Sequence, residues 1–252
     1  MMPDLSSHVA IVTGATSGLG LRFAQVLSAH GAAVAITGRR AERLDALKSE
    51  LEGEGGRVLC IPSDLTRTED VFRVVEATEE ALGTPTVLVN NAGMADAKYA
   101  TKIDVELFDR VLSLNVRAPF LLSREVAKRL IAAETPGRIV NIASIMAYHY
   151  EGQGAALYST TKAAVVRMTE TLAVEWSKFQ INVNAIAPGY VRSEMTDAMS
   201  ERMGGADLSK IYPRKRLPTP DYLDSTLLFL VDPASHGVTG TVVKMDDGQT
   251  PR

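Results

Sequence analysis

The 252-residue chain contains one cysteine, Cys60. A single thiol permits no intrachain disulfide and no thiolate set for structural zinc, and it fits a reducing compartment. Aromatic residues are scarce at 6%, and charge of neither sign dominates: 27 Lys and Arg stand against 30 Asp and Glu, a formal net charge of −3. No global positive field therefore draws the chain to nucleic acid or to an anionic membrane, which leaves only local basic clusters. Runs of about 18 apolar residues are absent, so no membrane helix is expected. The opening "MMPDLSSHVAIVTGAT" is too polar, and too soon broken by glycine, for a secretory signal. His8, His30, His149 and His236 are scattered without metal-ligand spacing, so no metal is expected. Internal repeats and low-complexity linkers are missing too. These absences describe a soluble, cytoplasmic protein with neither a nucleic-acid nor a membrane partner. With 46% apolar and 23% charged residues, the length suits one large α/β domain or two small ones and excludes a disordered or fibrous chain.

What is present has a rhythm. Seven short runs rich in Val and Ile, "HVAIVTG", "AAVAITG", "GRVLCIPSD", "TVLVNNAG", "RIVNIAS", "INVNAIAPG" and "GTVVKMDDG", alternate with stretches of helical period. That alternation marks β-α-β units. Most of the runs are apolar throughout, as when helices cover both faces of a parallel sheet. Between them, "LGLRFAQVLSAHG", "AERLDALKSELEGEGG" and "TEDVFRVVEATEEALG" place apolar residues such as Leu44, Leu47 and Leu51 at three- and four-residue steps, with glycine near each end. Longer helices are expected from about Asp104 to Ala133 and from about Leu157 to Phe179. The rhythm breaks at residues 190–223, whose Met, Gly and Pro content suggests a mobile insert over a site. One domain spanning 1–252 is the economical reading.

The first run leads through "TGATSGLG" directly into a helix. Gly14, Gly18 and Gly20 let the backbone turn sharply and let a phosphate approach the helix N-terminus, where unpaired N–H groups and the dipole favour anions. The spacing is G-x-x-x-G-x-G, neither the general G-x-G-x-x-G fingerprint nor a phosphate loop ending in Gly-Lys-Ser/Thr. A tight strand-to-helix connection would explain the turn equally well if it stood alone. The second run ends "ITGRR", without the carboxylate that usually meets the adenosine ribose of NAD. Arg39 and Arg40 stand instead where a 2′-phosphate would lie, which favours NADP(H) over NAD(H). Asp64 closes the third run, either as an adenine contact or as a turn cap before "LTRTED".

In order along the chain come "TGATSGLG", "NNAG" at 90–93, Asn115 in "SLNV", Ser144 in "VNIAS", "YSTTK" at 158–162 and "APG" at 187–189. This series, covering nearly the whole chain, resembles the short-chain dehydrogenase/reductase family. The resemblance implies a Rossmann-type, doubly wound α/β fold with a seven-stranded parallel sheet, and catalytic roles for Asn115, Ser144, Tyr158 and Lys162. It implies cofactor contacts from Gly14, Thr16, Ser17, Gly18, Leu19, Gly20, Arg39, Arg40, Asp64, Leu65, Asn91, Ala92, Gly93, Tyr158, Lys162, Pro188, Gly189 and Val191. Ser144 and Tyr158 stand one residue further apart than in many relatives, which predicts a one-residue insertion in the intervening loop beside the substrate.

Tyr158 and Lys162 lie four apart in a helical stretch and so project from one face. Reduction of a carbonyl by a nicotinamide hydride leaves an alkoxide that needs a proton, and free tyrosine, with a pKa of about 10, is a weak donor for it. A neighbouring ammonium and a cationic nicotinamide would stabilise the phenolate and lower that value. Tyr158 is then the acid for reduction and the base for oxidation. By resemblance Lys162 also holds the nicotinamide ribose, Ser144 steadies the substrate oxygen, Asn115 holds a water, and the segment after Pro188 meets the carboxamide. Asn90 is expected to tie neighbouring strands, and Thr13 to order the glycine turn. No G-x-S-x-G elbow supports a hydrolase.

The substrate is harder to read. Met195, Met199 and Met203 form a stripe on a short helix that could close over an apolar substrate or pack on the domain. Tyr148, His149 and Tyr150 could line the pocket or lie on a loop surface, and the basic "PRKRL" at 213–217 reads as a solvated face. The leading expectation is an NADP(H)-dependent oxidoreductase for a small-molecule ketone or secondary alcohol of moderately apolar character. An NAD-dependent sugar or steroid alcohol dehydrogenase, a 3-oxoacyl thioester reductase and a non-catalytic dinucleotide-sensing module are the alternatives. The resemblance, in a chain that closes with Arg252 soon after the last strand, implies a homotetramer.

Overall fold

β-Branched and small apolar residues favour extended backbone that packs on both faces. All seven such runs are strands in the computed structural model, which describes residues 3–250 except 97, 151, 153, 203 and 211. They are β1 (Val9–Thr13), β2 (Ala33–Gly38), β3 (Val58–Pro62), β4 (Val87–Asn90), β5 (Gly137–Ile142), β6 (Ile181–Pro188) and β7 (Val242–Met245). Every pairing is parallel, and the order is β3-β2-β1-β4-β5-β6-β7. β1 is therefore the hub: Ala10 pairs with Val34 of β2 on one side and with Val87 of β4 on the other. The winding direction reverses at this point, so a crevice opens beyond the C-terminal ends of β1 and β4.

Helices cover both faces. On one lie α1 (Gly18–Ala29), α2 (Ala41–Gly53) and α8 (Asp224–Val231), which pack Phe23, Leu27, Leu44, Leu47, Leu51, Leu227 and Val231 against the sheet. On the other lie α3 (Thr68–Leu82), α5 (Ala118–Ala132) and α6 (Ala156–Trp176), which contribute Val74, Leu122, Val126, Val165, Leu172 and Trp176. Burying each such side chain stabilises the fold by about 1.5–3 kcal/mol. Among the described residues no helix is long and apolar enough to cross a membrane.

Two expectations need correction, the undivided helix and the solvated basic run. The helix expected from Asp104 to Ala133 is divided: α4 (Val105–Leu112), capped by the Asp104 carboxylate on the Leu107 amide at 2.8 Å, passes through one widened π turn, Ser113–Arg117, before α5 begins. The insert includes α7 (Glu194–Arg202), whose buried residue is Thr196. Of its methionine stripe, Met195 is exposed, Met199 is half-buried and Met203 lies outside the described residues, as does Arg252. The basic run is not simply solvated. Arg214 and Arg216 both pair with Asp247 just after β7, at 2.8 and 2.7 Å, and so pin the far end of the insert to the sheet.

Candidate active site

The N-terminal turn of α6 carries Tyr158 and, one turn on, Lys162. Helical spacing puts both on the side facing the end of β5, where Ser144 follows the strand and caps a short 3-10 turn by accepting the Met146 amide at 3.1 Å. The Ser144 hydroxyl also stands close enough to the Tyr158 phenol to favour its ionised form. The Lys162 ammonium donates to the Ile142 carbonyl at 2.7 Å and lies 5.6 Å from the Tyr158 ring centroid. Asn115 sits in the widened turn between α4 and α5. A π turn swings a side chain out of the regular helical row, and such turns often occur at functional sites. Here the buried amide crosses to the loop after β4: Oδ1 accepts the Met94 amide at 2.9 Å, while Nδ2 donates to the Met94 carbonyl at 2.9 Å and to Thr161 on α6 at 3.1 Å. Both amide protons are thus used, which leaves one Oδ1 lone pair for a water.

The electrostatics differ from the expectation in one respect. Burial pushes the Tyr158 phenol up to about 12, against a lowering by the neighbouring Ser144 hydroxyl. Burial also pushes the Lys162 ammonium down, to about 8. The chain's own groups therefore raise the phenol rather than bring it towards neutral pH, because desolvation outweighs that single hydroxyl.

The crevice at the β1–β4 switch fits a dinucleotide. Gly14 adopts φ +68°, and a Cβ there would sit 2.9 Å from the Ala92 Cα. A Cβ on Gly20 would collide with the Gly14 carbonyl oxygen and the Asn91 side chain. Only glycine allows the turn and the β4 loop to meet this closely. Thr13 stitches them together by accepting the Asn91 and Ala92 amides, each at 2.9 Å, and Asn91 donates to the Thr13 carbonyl at 2.9 Å. Thr13 and Asn91 therefore serve the framework, as does Asn90, which donates to Asn141 and Ser123. Gly93 opens the same crevice further in: a Cβ there would stand 3.4 Å from Asn115 Oδ1 and 3.5 Å from Lys162 Nζ. Across the crevice, Gly189 donates to the Met245 carbonyl at 3.0 Å, and Val191 is buried beneath the start of the insert.

At the outer end, Arg39 is exposed, and Arg40 reaches back over the glycine turn to Thr16 at 2.8 Å and Ser17 at 2.9 Å. The same guanidinium meets Glu194, the first residue of α7, at 3.0 Å, and Arg43 pairs with that carboxylate as well. Hydrogen bonds from Arg43, then Arg40, hold the Glu194 carboxyl below its ordinary value. Asp64 is turned inward as a cap: its Oδ1 accepts the Thr66 amide at 3.0 Å and hydroxyl at 2.8 Å, beside the buried Leu65. Tyr148, His149 and Tyr150 are exposed.

A family model for short chain dehydrogenases matches residues 8–204. The chain belongs to the short-chain dehydrogenase family. Gluconate 5-dehydrogenase of Gluconobacter oxydans is 35% identical over 98% of this chain and 96% of its own length. The 3-oxoacyl-acyl-carrier-protein reductase of Rickettsia bellii is 34% identical over 98% of each. A solved structure from Beutenbergia cavernae, described as an NAD(P)-dependent gluconate 5-dehydrogenase with NADP at low occupancy, superposes with a TM-score of 0.90 at 33% identity over 98% of both chains. The dehydrogenase is thus an oxidoreductase acting on CH–OH or C=O groups.

Four contributors to the dehydrogenase site go unassigned by the motifs, although Thr161 lies within "YSTTK". Thr161 and the Met94 backbone hold Asn115, and Arg43 and Glu194 crowd the outer end. Asp96 is a fifth: it is 5% exposed, and its Oδ1 accepts the Tyr158 amide at 3.4 Å while its Oδ2 has no partner among the described residues. The first turn of α6 has no cap of its own, so a carboxylate from the β4 loop serves it. An acid three residues past "NNAG" is the only hint, and nothing local says which helix it meets.

Proposed function

We propose that the dehydrogenase is NADP(H)-dependent and transfers a hydride between the nicotinamide and a ketone or secondary alcohol of moderately apolar character, with Tyr158 as acid and base. The observation that carries this reading is the convergence of the Tyr158 phenol, its Ser144 partner and the buried Lys162 ammonium beside Gly93. When bound, the nicotinamide supplies or takes up the hydride, and its oxidised, cationic form favours the phenolate. In reduction Tyr158 gives its proton to the carbonyl oxygen as alkoxide character develops; in oxidation the phenolate takes the alcohol proton. Ser144 orients that oxygen and stabilises the phenolate. Lys162, anchored on the Ile142 carbonyl, keeps further protons for the ribose hydroxyls, and the remaining Oδ1 lone pair of Asn115 holds a water on the path to solvent.

The glycine turn with Thr16, Ser17 and Leu19, the residues Asn91, Ala92 and Gly93, and the segment from Pro188 to Val191 form the cofactor bed. Arg40, reinforced by Arg39, takes the 2′-phosphate, and Asp64 with Leu65 borders the adenine. The chain acts as one catalytic domain, with 190–223 as its substrate loop. We assign it to the cytoplasm and to a homotetramer. Apolar side chains turned outward on α4, α5 and α6, with Val105 74% and Val174 77% exposed beside Phe108 and Phe120, support assembly through those helices.

Titration with NADPH and NADH, followed by nicotinamide fluorescence, tests the cofactor assignment; tighter NADPH binding is expected, and a preference for NADH overturns it. For the chemistry, Tyr158→Phe should lower kcat by about 10²- to 10⁴-fold, the usual worth of a general acid, with cofactor affinity retained. Turnover that survives the substitution overturns the role of Tyr158, and a wild-type protein that binds the cofactor yet reduces no ketone points to the dinucleotide-sensing module.

A further inference from the structure

The guanidinium groups that read the adenosine end are already engaged. Glu194 accepts from Arg40 at 3.0 and 3.1 Å and pairs with Arg43, although it lies 154 and 151 positions from them and only the fold brings it there. Glu194 starts α7, and Ser193 just before it packs over the glycine turn, with its Cβ 3.5 Å from the place a Cβ on Gly18 would take. The carboxylate thus spans from the insert to the mouth of the cofactor bed. Resting on the NADP(H) reading above, we infer that Glu194 is a specificity-determining latch: its carboxylate occupies the Arg40–Arg43 anion site, and a 2′-phosphate binds by displacing it and releasing the start of α7.

The charges support this exchange. A phosphate monoester carries close to two negative charges and three acceptor oxygens, against one charge on the carboxylate, and arginine forks suit either group. The side chains of Glu194, Arg40 and Arg43 are 53%, 36% and 47% exposed, so the pairs are solvent-screened and readily exchanged. The carboxylate also has somewhere to go. A hollow of about 710 Å³ lies beside it, bounded by Gly18, Arg22, Arg192 and Asp221 among others. An adenosine that lacks the 2′-phosphate has no such anion to offer, so its binding leaves the latch closed. Glu194 therefore weakens phosphate-bearing cofactors selectively, and it couples their arrival to the loop expected to cover the substrate.

Calorimetric titration with 2′,5′-ADP and 5′-AMP isolates the effect from catalysis. Glu194→Gln should tighten 2′,5′-ADP by about two- to tenfold, the range expected when one or two exposed ion pairs no longer compete. The affinity for 5′-AMP should change by less than about twofold on the same grounds. Arg40→Ala, run in parallel, should weaken 2′,5′-ADP alone. If Arg40→Ala behaves in this way but Glu194→Gln changes neither probe, or both equally, the latch is wrong and the NADP(H) reading stands. Should Glu194→Gln weaken 5′-AMP, the carboxylate is a ribose ligand instead, and the proposal falls. If Arg40→Ala leaves the ratio of the two affinities unchanged, the NADP(H) reading and the latch fail together.

Discussion

Lys162 is asked to be buried and charged at once. Burial brings its ammonium down from 10.5 to about 8, so the unfolded chain binds the proton more tightly than the native one over that interval. Native stability contributed by this group therefore rises with pH through the window and is flat below it. Against Lys162→Met, which cannot titrate, wild type should gain stability between pH about 8 and 10.5, measured as urea midpoints; parallel curves would show that the ammonium is not desolvated. Ser144 acts on Tyr158 with the opposite sign to burial, since its hydroxyl lowers a phenol that desolvation has raised to about 12. Replacement by alanine should move the pH limb of alcohol oxidation further alkaline as well as lower the rate, and a limb that stays in place argues against Ser144 as the phenol's partner.

At the scale of elements, the site depends on two places where regular structure gives way. The widened turn between α4 and α5 directs the Asn115 amide onto the β4 loop and onto Thr161 of α6. Thr161→Val keeps the shape but removes that partner, and it should cost about 1–3 kcal/mol in urea unfolding, the usual range for a buried group left unsatisfied. The glycine turn is the other. Gly20→Ala forces α1 away from the Gly14 carbonyl and Asn91, so it should weaken NADPH and NADH by similar factors, unlike Arg40→Ala, which on the NADP(H) proposal weakens NADPH selectively. A cofactor-selective effect of Gly20→Ala would mean that the turn reads the 2′ position.

For the whole molecule, outward apolar side chains on α4, α5 and α6 and the pinned insert are the features that secondary structure alone leaves unused. If the proposed homotetramer forms through these helices, Phe120→Glu and Val174→Glu should each shift it to smaller species in light scattering, because a charge buried at an interface without a partner is strongly unfavourable. If both variants and wild type share one monomeric mass, those faces are not interfaces. Arg216→Ala removes one of the two guanidinium groups from Asp247, frees the far end of the insert, and should raise KM more than it lowers kcat.

The primary structure by itself determined the seven strands, the covering helices, the glycine turn and the four candidate catalytic residues. Each of these rests on local physics: continuous Val and Ile runs, the three- and four-residue steps of Leu44, Leu47 and Leu51, the φ of Gly14, and the one-turn spacing of Tyr158 and Lys162. Pairing across the chain was left to the tertiary structure. It decided that Asp96 caps the helix of Tyr158, that Asn115 sits in a widened turn held by Thr161, and that Arg40 is met by Glu194. It also raised the Tyr158 phenol, an outcome that residue types could not foretell. Desolvation depends on how completely α6, the β5 end and the β4 loop close around a group, and that closure is a property of packing rather than of any stretch of chain.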